Sequence, residues 1–243
     1  MYGLGLFETV RVCRGTAVFF EDHFSRMRKS AAALGLEMKK SMAELLESSR
    51  KVISENGLDE GSLKLVLYQA EGFTSVAILA RRGLYSPEVF ARGFRLKIEE
   101  VKQRSSLAAH KTLNYFESIT AKRRALAAGY DEPLFVDTEE QVLEGATTNV
   151  FIVHLGQVIT PPADGRILPG VVRARILNLL GPRGVQQPVA IDQLLAATEV
   201  FVTNALLGVM PVSSIDHVKF DITHNPVSRE IADALNRSLS SIK

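Results

Sequence analysis

The sequence predicts an α+β fold divided into two lobes. Three observations carry that prediction. Strand-like runs come in pairs joined by short turns, and the amphipathic helical stretches are grouped between those pairs instead of alternating with single strands. Residues 100–110 are polar and small and make a connection between two halves. A chain of 243 residues also has enough length for one large domain or two small ones, with a real core to bury. The expected division is a small N-terminal α+β domain over 1–105 and a larger, β-rich domain over 106–243.

In the first lobe, residues 5–13 and 16–20 read as two strands, and Arg14-Gly15 between them suits a hairpin turn. Asp22 is placed to cap a helix that reaches Leu34, with Gly35 as its stop. A second helix spans about Ser41 to Asn56 and is closed by Gly57. Strands are expected over Ser62–Ala70, Phe73–Ala80 and Phe94–Glu99. Past the connection, a helix runs from about Tyr115 to Ala128 and ends at Gly129. Short strands follow at Pro133–Asp137, Gln141–Leu143, Asn149–His154 and Gln157–Thr160. The segment Pro161-Pro162-Ala163-Asp164-Gly165 is a loop, and a helix starts near Pro169-Gly170, where proline suits a first turn. A strand at Glu199–Thr203, further β near Val209–Val212 and a final helix from Pro226 to about Ser238 complete the chain. No internal repeat or low-complexity tract interrupts this order.

Composition narrows the function classes. With 29 basic and 27 acidic residues the formal net charge is +2, which argues against an extended nucleic-acid surface. The one basic cluster, Lys122-Arg123-Arg124, falls in a helical pattern and reads as a solvated face. Cys13 stands alone, so no intrachain disulfide can form, and a reducing, cytoplasmic location is expected. No apolar run is long enough to span a bilayer, and the start Met1-Tyr2-Gly3-Leu4-Gly5 lacks the basic and apolar regions of a signal peptide. The five histidines do not fall into metal-ligand spacings, so no metal site is expected. Gly3-x-Gly5 has neither a preceding strand nor a third glycine and makes no dinucleotide signal.

The residues that can carry chemistry lie mostly between His110 and Asn149. Lys111 precedes a helix start, and a lysine whose pKa is lowered by burial and neighbours can form a Schiff base. Glu144 lies in Glu144-Gly145-Ala146-Thr147-Thr148-Asn149, and a carboxylate can hold the pyridinium proton of pyridoxal phosphate. The plainer reading, favoured by residue type alone, makes Lys111 a solvated loop lysine and Glu144 a surface acid. A phosphorylated cofactor also needs anion donors. Arg26 shares a helix face with His23 and can bind phosphate bidentately, although Arg28 and Lys29 beside it also suit a plain basic surface. Leu168-Pro169-Gly170-Val171-Val172-Arg173 places a glycine at a helix start, where free amides favour an anion; a plain loop-to-helix junction accounts for it equally. Thr203-Asn204-Ala205-Leu206 gathers donors at a strand end, as an ordinary turn also would.

In order and spacing, these segments closely resemble the fold type IV family of pyridoxal phosphate enzymes (class IV aminotransferases). That family includes branched-chain and D-amino-acid aminotransferases and 4-amino-4-deoxychorismate lyases. The resemblance runs from Gly3-Leu4-Gly5-Leu6-Phe7-Glu8-Thr9 through His23-x-x-Arg26, Lys111-x-x-Asn114-Tyr115, Glu144-Gly145-x-x-x-Asn149 and Leu168-Pro169-Gly170 to Asn204-Ala205-Leu206. It implies a D-amino-acid-aminotransferase-like fold with pyridoxal 5'-phosphate in the cleft between a small N-terminal lobe and a larger β-rich one. It further implies that Lys111 is the Schiff-base lysine and catalytic residue, and that Glu144 partners the pyridine nitrogen. Arg26 binds the phosphate with the amides of Val171 and Val172 and the Asn204-Ala205 turn, while Tyr115 and Asn149 complete the cofactor contacts. A homodimer acting on a small amino substrate, without nucleic acid or membrane, is implied as well.

Within the family, the segments after His110 and Asn204 look most like the aminodeoxychorismate lyases, which eliminate pyruvate to leave 4-aminobenzoate in folate synthesis. A branched-chain or D-amino-acid aminotransferase is the alternative, and a cofactor-binding member without catalysis is a third reading. Two departures stand out. Relatives carry about one hairpin before the Gly-x-Gly segment and commonly have aspartate where Leu4 stands; loss of that hairpin would expose a strand edge in the first lobe. Gln69-Ala70 replaces the Arg-Gly of many relatives, which leaves Arg81, Arg82 and Arg104 as candidates to meet substrate carboxylates.

Overall fold

The computed structural model describes residues 3–70, 73–101 and 105–240. Contacts group the described residues into two compact units, one within 1–84, 110–115 and 239–243, the other within 85–109 and 116–238. Both are α+β. The sequence assigns the lysine segment to the second domain, whereas the contacts group 110–115 with the first unit. The reason lies in backbone pairing. Phe7 N–H donates to the Lys111 carbonyl at 2.8 Å, Leu113 N–H donates to Gly5 at 2.9 Å, and Leu6 and Thr112 form an antiparallel bridge.

The first unit begins with β1 (Gly5–Cys13) and β2 (Thr16–Ala17), followed by α1 (Phe20–Ala33) and α2 (Met42–Glu55), then β3 (Gly61–Ala70) and β4 (Phe73–Arg82). The strands form one antiparallel sheet in the order β2-β1-β3-β4. Arg14 and Gly15 both have positive φ, as a two-residue turn matched to strand twist requires. Leu6, Val10 and Val12 alternate onto one face with Leu63, Leu65 and Leu67, and Phe20, Phe24 and Met27 of α1 pack into the same core. Ser41 and Glu44 close a reciprocal capping box at the start of α2.

The expected strand over 16–20 is corrected to a two-residue strand followed by a helix. Phe19 adopts a left-handed conformation as N-cap, its carbonyl accepts the Asp22 and His23 amides, and Phe20 turns into the core. Asp22 therefore lies in the first turn of α1 and is not its cap. An apolar Val18-Phe19-Phe20 run reads as a strand because its period is too short to show the turn of a helix.

The second unit starts with α3 (Pro87–Arg92), which the sequence reading misses, and β5 (Phe94–Glu100). Next come α4 (Phe116–Ala127), β6 (Glu132–Val136), β7 (Val142–Gly145), β8 (Asn149–His154) and β9 (Gln157–Thr160). After α5 (Val171–Leu180) and a single 3-10 turn (Gly181–Arg183), the chain adds β10 (Gly184–Gln186) and α6 (Ile191–Leu195). It ends with β11 (Glu199–Asn204), β12 (Gly208–Ile215), β13 (Val218–Lys219) and α7 (Pro226–Ser240). Nine strands make one mixed sheet in the order β10-β9-β8-β11-β12-β5-β6-β7, with β13 on β12. One face carries the core of Val150, Ile152, Val200, Val202, Met210 and Val212. On the opposite face of β8 and β11, Phe151 and Phe201 stack at 5.0 Å, and Asn149 lies opposite Thr203. Among the described residues no helix is long and apolar enough to cross a membrane.

Candidate active site

In the first unit the site residues converge on the start of β1. Pairing of 111–113 with 5–7 places Lys111 beside Phe7, and the Lys111 Nζ stands 4.5 Å from the Phe7 ring centre and 5.1 Å from that of Tyr115. The two rings meet edge to face at 5.2 Å. Such a frame holds an amine by cation–π attraction and limits its rotamers. Gly5 is needed at this crossing, because a Cβ there would stand 2.4 Å from the Leu67 carbonyl and 2.7 Å from Leu113 Cδ1.

Arg26 is not a surface basic residue. Its side chain is 11% exposed, with Nε donating to Glu8 Oε1 at 2.8 Å and Nη2 to Glu8 Oε2 at 2.5 Å. His23 Nδ1 meets the same Oε2 at 2.7 Å, and an ionised carboxylate makes that nitrogen the donor. Burial alone would raise the Glu8 pKa. The Arg26 charge, with the hydrogen bonds from His23 and Arg26, outweighs burial and holds it at about 2. Glu8 thus fixes the plane of the guanidinium. Residue type alone does not single out Glu8 as a site residue, yet the sequence carries a signal: an acid shares the inward parity of Leu6, Val10 and Val12 on a core strand.

A second residue escaped the sequence reading. Lys64 Nζ stands 4.5 Å from the centre of the same Phe7 ring that Lys111 faces. Of the expected carboxylate contacts, Arg81 and Arg82 are exposed, and Arg82 donates to the Asn56 carbonyl. Arg104 lies outside the described residues, as do Lys102 and Gln103 of the expected connection.

In the second unit Glu144 is buried, at 6% exposure, so it is not the surface acid that residue type favours. Its Oε2 accepts from Asn149 Nδ2 at 3.2 Å and from the Leu168 amide at 3.0 Å, while Asn149 Nδ2 also donates to the Leu168 carbonyl at 2.9 Å. These bonds orient the carboxylate and tie the β7–β8 turn to the loop before α5. Gly170 permits the approach, since a Cβ there would stand 2.0 Å from Asn149 Oδ1. Gly170 is also the N-cap of α5, which begins at Val171 with neither a side-chain cap nor an acidic residue in its first turn. The amides of Val171 and Val172 belong to the set that has no acceptor within the helix. Arg173 in that turn is buried, donating to Pro161, Thr160 and Gln186. Burial lowers its pKa to about 10, partly offset by Glu144, so it stays cationic at neutral pH.

Asn204 ends β11. Its Oδ1 accepts the Leu206 and Leu207 amides at 2.9 and 2.8 Å, and its Nδ2 donates to the Thr147 carbonyl at 3.2 Å, shaping the turn that contains Ala205. Thr203, on the sheet face of Asn149, has a buried hydroxyl with no hydrogen-bond partner among the described residues. Buried polar atoms are rarely left unpaired, so a polar group from outside the chain fits there. An uncapped helix start, an unpaired hydroxyl beside a donor-rich turn and an oriented carboxylate fit a phosphorylated, nitrogen-containing ring. The amine of Lys111 fits an aldehyde.

Comparison with known proteins agrees. The family model for amino-transferase class IV matches residues 5–215. The D-alanine aminotransferase of Bacillus licheniformis is 27% identical over 260 residues, covering 99% of this chain and 89% of that protein. The branched-chain-amino-acid aminotransferase of Pseudomonas aeruginosa is 27% identical over 256 residues, covering 96% and 83%. Among solved structures, the 4-amino-4-deoxychorismate lyase of Pseudomonas aeruginosa matches with a TM-score of 0.85 at 27% identity, over 98% of this chain and 92% of that one. The chain belongs to the class IV aminotransferase family, the fold type IV enzymes whose cofactor is pyridoxal 5'-phosphate.

Proposed function

We propose that the chain is a 4-amino-4-deoxychorismate lyase, releasing pyruvate and leaving 4-aminobenzoate for folate synthesis. The observation that carries this reading is Lys111, an amine fixed by backbone pairing to β1 and framed by Phe7 and Tyr115. When bound, the cofactor supplies an electron sink for charge that develops on the substrate. Lys111, with Tyr115 beside it, would hold the cofactor at its aldehyde, and Arg26 would donate to the phosphate from the orientation Glu8 imposes. In the second unit Glu144 holds a proton on the ring nitrogen and Asn149 holds Glu144. The Val171 and Val172 amides and the Asn204-Ala205 turn donate to the phosphate, in keeping with the charge preference of helix starts. Lys111 Nζ would be the general base that removes the ring proton of the substrate. The substrate has two carboxylates, and Lys64 offers a cation beside the Phe7 ring where Gln69 does not.

The lyase reading is supported by the resemblance of the segments after His110 and Asn204 to the lyases, and the likeness to the Pseudomonas lyase is in keeping with it. Sequence relatives named as branched-chain and D-alanine aminotransferases support the second reading, an aminotransferase in which a keto acid would accept the amine and Lys111 would carry the proton. A homodimer is part of the proposal, supported by Phe116, Ile119 and Leu126, which are exposed along one side of α4. The cytoplasm is the proposed location, in keeping with the lone, unpaired Cys13. Pyruvate release from 4-amino-4-deoxychorismate with no keto acid present tests the assignment. Release supports the lyase; turnover that requires a keto acid replaces it with the aminotransferase. Loaded protein inactive in both assays points to a cofactor-binding member without catalysis.

A further inference from the structure

Glu132 opens β6 and is fully buried, at 0% exposure, yet no step proposed above uses it. A carboxylate removed from water must be paired and hydrogen-bonded on both oxygens. Here Oε2 accepts from Lys122 Nζ on α4. Oε1 accepts from the Thr147 amide at 2.5 Å, the Thr147 hydroxyl at 2.9 Å and the Thr148 hydroxyl at 3.3 Å. Every one of these Oε1 donors comes from the turn between β7 and β8, the turn that separates Glu144 from Asn149.

Two further contacts extend the constraint. A Cβ on Gly145 would stand 2.8 Å from Glu132 Oε1 and 2.3 Å from Thr148 Oγ1, so the turn closes directly over the carboxylate. The Thr147 carbonyl accepts Asn204 Nδ2, and Asn204 in turn fixes the Leu206 and Leu207 amides. A continuous polar chain thus runs from Lys122 through Glu132 and Thr147 to Asn204.

We propose that Glu132 is a positioning residue that locks the Glu144–Asn149 turn and the Asn204 turn into one frame, so that the group partnering the ring nitrogen and the turn taking the phosphate keep a fixed separation. The proposal rests on the cofactor assignments above. A network of this kind gains rigidity because each bond polarises the next, and it is costly to leave partly satisfied. Lys122 acts as the charge partner of Glu132.

The test titrates apoprotein with pyridoxal phosphate and measures affinity, the pH midpoint of the bound cofactor's absorbance and the thermal midpoint of the apo form. Glu132→Gln is expected to weaken cofactor affinity about tenfold or more and to move the absorbance midpoint, since losing a bond to a charged group has that scale. Thr147→Val, which removes only a hydroxyl, is expected to move both readouts in the same direction by less, and it carries the test if Glu132→Gln does not fold. Glu199→Gln is the control: Glu199 is a buried carboxylate that caps the Val227 and Ser228 amides of α7. It is expected to lower the thermal midpoint and leave affinity unchanged. Glu132→Gln and Thr147→Val proteins that lose only thermal stability, with wild-type affinity and absorbance midpoint, would overturn the positioning role. Wild-type protein that takes up no cofactor would instead overturn the assignments on which it rests.

Discussion

Glu8 decides more of the first unit than its residue type suggests. Its folded pKa of about 2 lies below the ordinary 4.5. The stabilisation is therefore fully present above pH 4.5 and is lost as pH falls toward 2. Its scale is about 3 kcal/mol for a shift of that size. Glu8→Gln should lower the unfolding free energy at neutral pH by roughly 3 kcal/mol or more, because Arg26 and His23 lose a buried partner. The same change should flatten the acid limb of stability below pH 4.5, which urea unfolding across pH measures directly. If the proposed dicarboxylate is the substrate, Lys64→Met is expected to raise its KM about tenfold or more while cofactor loading stays unchanged, the scale of a lost charged contact. Substrate titration alongside absorbance separates the two effects. At this scale the sequence singled out Lys111, Arg26 and Glu144 by residue type, and the structure gives Arg26 and Glu144 buried partners that residue type does not announce. The sequence was silent where position decides. Lys64 lies on the outward parity of β3, and only the fold brings it beside Phe7.

Elements with a strong local signal were readable. Asn149–His154 and Gln157–Thr160 are strands as expected, because turn residues bound each apolar run closely. α2 follows from its Ser41 cap and Gly57 stop. α3, α6 and β10 were missed because each has six residues or fewer, too few for a periodic pattern. Short helices of this kind draw their stability from packing, as the buried Leu194 of α6 shows. The α5 start was recognised by its Pro169-Gly170, but the sequence did not reveal that Gly170 must also clear Asn149. Gly170→Ala tests that clearance. The new Cβ pushes on Asn149 and through it on Glu144, at a cost of about 1–3 kcal/mol for overpacking. A lower thermal midpoint together with weaker cofactor affinity is expected; an unchanged affinity would separate Asn149 from the cofactor.

For the molecule as a whole, the α+β class and two-lobed organisation were legible from the grouping of hairpins and helices. The mixed order of the nine-stranded sheet was not, because parallel pairs such as β5 with β6 and β5 with β12 join distant segments. Nor did the sequence divide the chain where contacts do, since 110–115 is bound to β1 by backbone bonds that no side-chain pattern announces. Assembly is tested by sedimentation equilibrium: the wild type should behave as a dimer, and Phe116→Glu with Leu126→Glu should shift it toward monomer if the exposed side of α4 is the interface. Lys111 is proposed as the amine that holds the cofactor, and borohydride reduction of the loaded protein, followed by peptide mass spectrometry, tests that assignment. One reduced cofactor is expected, on the peptide that contains Lys111, and none in Lys111→Ala protein. Label on Lys64 or Lys122, or loaded protein that incorporates no label, would contradict it.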